Sequence, residues 1–153
     1  METVGQAALV GQLATTGLMA GIYLAFSIAV MPGLTRNDDR TYVAAMRGMN
    51  VAIMNGWFFV VFLGPLPLGI LAVVTRLPDH DALWWTVLGL LLYVGTLVVT
   101  GVVNVPLNNR LDSTEPVERA RALFETRWVR WNAVRTIGCT LSFLALIPAT
   151  AQL

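Results

Sequence analysis

Arg127-Trp128-Val129-Arg130-Trp131-Asn132-Ala133-Val134-Arg135 sets three arginines, two tryptophans and an asparagine against an apolar run that continues almost unbroken to Leu153. At 3.6 residues per turn, Trp128, Trp131, Asn132 and Arg135 share one helical face. Such a face reads as the start of a transmembrane helix that turns its polar and aromatic groups toward partners.

Composition agrees. Only 12% of the 153 residues are charged and 56% are hydrophobic, where a soluble domain carries about 25% charged residues. The apolar excess lies in long runs, which marks an integral membrane protein. A single domain over residues 1–153 is expected at this length. All ten basic residues are arginine, and the net charge of +1 gives no pull toward nucleic acid. The lone Cys139 sits in an apolar run and reads as a small core residue.

Working outward, four membrane runs appear. The first goes from about Val4 to Met31, with Gly17 and Gly21 in a Gly-x-x-x-Gly pair, and Pro32-Gly33 is expected to end it. Asn37 or Asp38 is a good N-cap for an amphipathic stretch in which Tyr42, Met46, Met49 and Ile53 recur at helical spacing. No breaker separates that stretch from Trp57–Val74, so one long second helix is expected, kinked at Pro65 and Pro67. Thr75 to Asp81 reads as a short loop, and the third run ends near Asn104, where Pro106 is expected to stop it. Val117, Ala120, Phe124, Trp128 and Trp131 then trace an apolar stripe into the fourth run. The expected fold is an all-α integral membrane four-helix bundle, with helices two and four extended beyond the bilayer on the cytoplasmic side. The two halves share a layout of proline turn, amphipathic segment, asparagine and membrane helix, at negligible identity.

Arginine placement gives the topology. Arg36, Arg40 and Arg47 come after the first run, and Arg110, Arg119, Arg121, Arg127 and Arg130 come after the third. The second connection has only Arg76. By the positive-inside rule those two arginine-rich connections are cytoplasmic and both termini non-cytoplasmic, in a multi-pass protein of the cell membrane.

Arg135 is the sharpest candidate for chemistry. An arginine at membrane depth is costly and marks a functional site by default, although it also suits an interface anchor that snorkels toward the headgroups. Asn50, Asn55, Asn104, Asn108 and Asn132 fall near one membrane level. Each can bridge helices or hold a carbonyl-bearing ligand, since an amide both donates and accepts. Trp128 and Trp131 fit an aromatic belt or the wall of an aromatic site. His80 stands alone, so no metal site is expected, and no acidic residue lies inside a membrane run, which argues against a proton or cation carrier.

Pro32-Gly33-Leu34, Asn50, the set Thr100, Asn104, Pro106, Asn108 and Leu111, and the set Trp128, Trp131, Asn132 and Arg135 resemble a family of small four-helix membrane proteins. That family is grouped with the anthrone oxygenases of aromatic polyketide pathways. The resemblance covers nearly the whole chain. It implies an anthrone-type monooxygenase, an oxidoreductase that needs no cofactor, neither metal nor flavin. An anthrone methylene is acidic, and its enolate reacts with oxygen directly. Asn132, Asn104 or Arg135 would then donate to the enolate oxygen as the catalytic set. Trp128 and Trp131 would stack on the rings, and Asn108 and Asn50 would complete the substrate site. Water, Tyr42 or Glu125 would serve as base. The competing reading is a non-enzymatic membrane protein, either a helper subunit or a binding module for lipid or an apolar solute. Expected partners are the lipid bilayer, an apolar aromatic small molecule, and a second copy in a homo-oligomer.

The topology makes a direct prediction. In intact cells, a membrane-impermeant thiol reagent labels a cysteine placed at His80 and spares one placed at Thr114. Labelling of position 114 from outside overturns the orientation.

Overall fold

A computed structural model describes residues 2–75 and 80–151. Its helices are α1 (Glu2–Ala25), α2 (Met31–Leu34), α3 (Asp39–Ala52), α4 (Gly56–Leu63), α5 (Pro65–Thr75), α6 (His80–Val99), α7 (Val105–Ser113) and α8 (Val117–Thr150). π-helical segments at Phe26–Val30 and Thr100–Asn104 join α1 to α2 and α6 to α7. No strand occurs among the described residues. Arg76 and Asp79, in the expected second connection, lie outside the described residues.

Four helical spans are long and apolar enough to cross a membrane: Glu2–Leu34, Gly56–Thr75, Ala82–Ser113 and Val117–Thr150. The chain is thus an all-α, multi-pass membrane bundle. α8 packs on α1 and on α6, and α5 closes the ring by contacting both. Close approach is built in at Gly17, where a Cβ would lie 2.9 Å from Phe143, and at Gly89, where one would lie 2.7 Å from Leu146. Gly21, the other half of the Gly-x-x-x-Gly pair, meets nothing within 4 Å. The outward faces carry Leu18, Ile28, Leu91, Val98 and Ile137, as lipid contact requires.

The prolines do not end the first and third spans as expected. Each helix passes through its proline by widening first. Met31 N–H bonds the carbonyl of Phe26, five residues back, and Val105 N–H does the same to Thr100. An α-turn would press the proline ring onto the carbonyl four residues earlier. The wider π-turn relieves that contact and keeps the helix going to Leu34 and to Ser113.

The second helix is not continuous either. α3 stops at Ala52, and Asn55 starts α4 as a new N-cap, its side chain accepting the N–H of Phe58 at 3.0 Å. Asparagine competes well for this role because its short amide satisfies a donor that a helix start leaves free. Pro65 divides the span again between α4 and α5. Near this break Tyr93 donates its hydroxyl to the Phe62 carbonyl at 2.7 Å.

α3 lies across the arginine-rich end. Tyr42, Val43 and Met46 pack with Leu107, Leu111, Ala120, Phe124 and Trp128, and Met49 and Val117 flank them. Two arginines clamp it there. Arg47 donates to the carbonyls of Leu111 and Thr114 and pairs with Glu115. Arg121 pairs with Asp39 and Glu125 and donates to the carbonyls of Asn37 and Thr35.

The start of α3 is pH-sensitive. The backbone N–H and hydroxyl of Thr41 hold the Asp38 carboxyl below the usual carboxylate range. A lowered folded pKa means that the cap's stabilisation is full above the usual carboxylate range and is lost as pH falls below it, through the lowered folded value. The protection factor of the Thr41 amide, its exchange rate relative to the unstructured rate at the same pH, should therefore fall on acidification. Asp38→Ala should show the low protection already at neutral pH; parent-like protection in that variant contradicts the cap.

Candidate active site

α8 enters the bundle core with Trp128, Asn132 and Arg135 on its inward face, all buried. Arg135 is 6% exposed. Its guanidinium lies over the Tyr23 ring, 4.5 Å from the centroid, and over Trp128 at 5.3 Å. Nη2 donates to Asn132 Oδ1 at 2.8 Å and Nη1 to Thr100 Oγ1 at 3.3 Å. Nε has no acceptor. No carboxylate pairs with Arg135 among the described residues; the ion pairs there belong to Arg47 and Arg121. The charge is held by amide, hydroxyl and π faces alone, which stabilise a guanidinium less than a carboxylate does. Donor capacity is left over, because a guanidinium has five N–H groups.

Asn132 is fully committed. Its Nδ2 donates to the Tyr23 carbonyl at 3.1 Å and to Ser27 Oγ at 2.8 Å, while its Oδ1 accepts from Arg135. Ser27 Oγ in turn lies 2.9 Å from Thr136 Oγ1. Asn132 thus ties α1 to α8 and aims Arg135. Asn104 is the opposite case. It is 1% exposed, and neither its amide nitrogen nor its amide oxygen has a partner. Buried amides without partners are uncommon and call for an explanation.

These groups meet at a cavity of ≈ 530 Å³, within the usual size of a small-molecule site. α8 gives it Trp128, Asn132 and Arg135; the second π-segment and α7 give Thr100, Asn104 and Asn108. Met46, Met49, Phe58 and Phe62 form the apolar wall opposite. Trp128 is fixed by its Nε1–H, which donates to Asn108 Oδ1 at 2.9 Å, and by stacking on Phe124. The rim has exposed Val51 and Met54 on one side and exposed Asn109 and Asp112 on the other. Among the described residues, no group of three His, Cys, Asp or Glu side chains comes together.

Of the residues singled out from sequence, Asn50, Asn104, Asn108, Trp128, Asn132 and Arg135 line this cavity. Trp131 does not; it is 38% exposed, on the outer side of α8. Asn55 caps α4 instead. The two side chains named as candidate bases are elsewhere. Tyr42 is buried under Arg121, and burial, with Glu125 adding to it, raises its pKa well above that of a free tyrosine. Glu125 is paired with Arg121 at 2.6 Å. Sequence reasoning missed Tyr23, Ser27 and Asp112. The first two sit one turn apart on α1 and the π-segment after it, where they resemble ordinary packing groups. Asp112 continues the spacing of Asn104 and Asn108 by one more turn, and that spacing was the available signal.

Residues 57–145 match the anthrone oxygenase family. No curated protein and no solved structure gives a significant match.

The hydrogen bonds predict an order of stabilities. Arg135→Met removes a buried charge whose cost at mid-membrane is about 2.5–3.5 kcal/mol and orphans Asn132 Oδ1 at about 1–3 kcal/mol. The two nearly cancel, so that variant should unfold within about 2 kcal/mol of the parent. Asn132→Ala breaks three hydrogen bonds and leaves the arginine loose, a loss of about 2–4 kcal/mol. Unfolding in detergent-denaturant mixtures checks the order, and an Arg135→Met protein less stable than Asn132→Ala contradicts it.

Proposed function

Because the chain belongs to the anthrone oxygenase family, we propose that it is a membrane-embedded oxygenase that converts the methylene of an anthrone-like aromatic to a carbonyl. The observation that carries this reading is Arg135, a buried cation with no carboxylate partner among the described residues, on the wall of a cavity sized for a small molecule. A site that holds a positive charge without a negative one is suited to a ligand that acquires one. Loss of a methylene proton leaves an enolate, with its charge largely on the carbonyl oxygen. Arg135 stabilises that oxygen through its free N–H groups, in surroundings where a hydrogen bond to charge is worth more than in water.

Asn132 acts as a positioning residue for the guanidinium. Trp128 offers an aromatic face beside it, and Met46, Met49, Phe58 and Phe62 exclude water from the rings. Asn104 keeps a free donor and acceptor for the polar edge of the ligand. The carbanion carbon adds dioxygen. The peroxide O–O bond then breaks as the second C–H proton is lost. One oxygen atom stays as the new carbonyl and the other leaves as water, so one methylene and one dioxygen become one ketone and one water. Four electrons leave carbon and four enter oxygen, with no further oxidant or reductant.

By the arginine asymmetry, the cavity mouth faces the cytoplasm. Purified protein should consume oxygen when given anthrone. Arg135→Met should remain folded and lose at least about 10²–10³-fold in rate, the usual loss for one oxyanion donor. Oxygen uptake by Arg135→Met at the parent rate removes Arg135 from the chemistry. A folded parent protein that neither binds nor oxidises anthrone favours the non-enzymatic reading.

A further inference from the structure

The site described so far stabilises an enolate but has no group that takes the proton. Six carboxylates lie at the arginine-rich end, and their partners sort them. Asp38 caps α3, Asp39 and Glu125 pair with Arg121, and Glu115 pairs with Arg47. Asp112 and Glu118 make no hydrogen bond or ion pair among the described residues. Of these two, only Asp112 lines the cavity.

Its position fits. Asn104, Asn108 and Asp112 succeed one another at four-residue intervals along the face that borders the cavity. Trp128 spans from the Arg135 guanidinium to Asn108, and Asp112 lies one turn, about 6 Å, beyond Asn108. A flat ligand with its carbonyl on Arg135 and its ring along Trp128 therefore points its opposite edge toward Asp112. In an anthrone that opposite edge is the methylene. Asp112 is also at the wet rim, where a proton it receives can pass to solvent.

Resting on the oxygenase reading, we propose that Asp112 is the proton acceptor of this site. The C–H bond breaks, the proton bonds to the Asp112 carboxylate, and the electron pair stays on the ligand as the enolate held by Arg135. A carboxylate is a weak base for a carbon acid. The transfer is feasible because the same cavity stabilises the product anion at its other end. The separation also has a physical reason. A carboxylate beside Arg135 would neutralise the cation that the enolate needs, whereas one at the rim stays hydrated and unpaired.

The test isolates the proton step by leaving oxygen out. Anthrone is incubated with the protein in deuterated buffer under anaerobic conditions, and exchange at the methylene is followed by NMR. Binding is read separately, from quenching of tryptophan fluorescence. The parent protein should speed exchange well above buffer. Asp112→Asn should bind anthrone as before and lose about 10²-fold or more of the exchange rate. Asp112→Glu should restore much of it, and Glu118→Gln should change nothing. Asp112→Asn that exchanges as fast as the parent overturns the proposal and leaves the oxyanion site standing. A parent protein that binds anthrone but exchanges it no faster than buffer overturns the proposal together with enolate stabilisation at Arg135. A folded parent protein that does not bind anthrone overturns this proposal together with the oxygenase reading.

Discussion

An arginine buried among hydrocarbon-facing helices without an acid beside it must be held by weaker groups, and much of the bundle is arranged around that requirement. Arg135 is caged by the rings of Tyr23 and Trp128 and by the oxygens of Asn132 and Thr100. The cage draws on α1, the second π-segment and α8 at once, so the residues that hold the charge also fix three helices relative to one another. Asn132 is the joint, because its amide serves the arginine with one end and α1 with the other. A carboxylate would hold the cation better, and it would also silence it. On the function proposed here, an arginine held by neutral groups alone is a place for an anion.

A second constraint comes from the bilayer, where backbone groups have no water to fall back on. Proline in a membrane helix threatens this by removing a donor and crowding a carbonyl. The spans that contain Pro32 and Pro106 respond with a π-turn just before them. The extra residue in each wide turn rotates the next stretch of helix about its axis. In the second case it leaves Thr100, Asn104 and Asn108 all on the cavity side. On the opposite wall the chain accepts a real break at Asn55 and a disturbed turn at Pro65, and α4 between them brings Phe58 and Phe62 to the cavity. The pocket is thus a by-product of how the helices satisfy their backbones, lined by suitable side chains.

Much of this was legible in the sequence because it depends on length and period. Four apolar runs give four spans, and the apolar stripes of α3 and α8 do meet, with Tyr42 and Met46 against Phe124 and Trp128. The polar face of α8 was readable at about 100° per residue. The same arithmetic explains the misplacement of Trp131, which lies about 60° from Trp128 on one side while Asn132 lies about 40° away on the other. A face drawn to include both is too wide, and the structure keeps Asn132 and exposes Trp131. The π-turns were not legible, since no composition marks them and proline normally ends a helix. Asn55 hid inside an unbroken apolar pattern. Asp112 was overlooked because a carboxylate near arginines resembles a solvated surface group, and only the path of α7 brings it to the cavity.

On the proposed function, Arg135 makes the cavity a site for an oxyanion. The most direct measurement is the absorption spectrum of anthrone bound to the protein under anaerobic conditions, at a pH where free anthrone is neutral. The parent protein should show the enolate band, and Arg135→Met should lose it with ligand still bound. A neutral anthrone spectrum in the occupied parent protein would contradict this role.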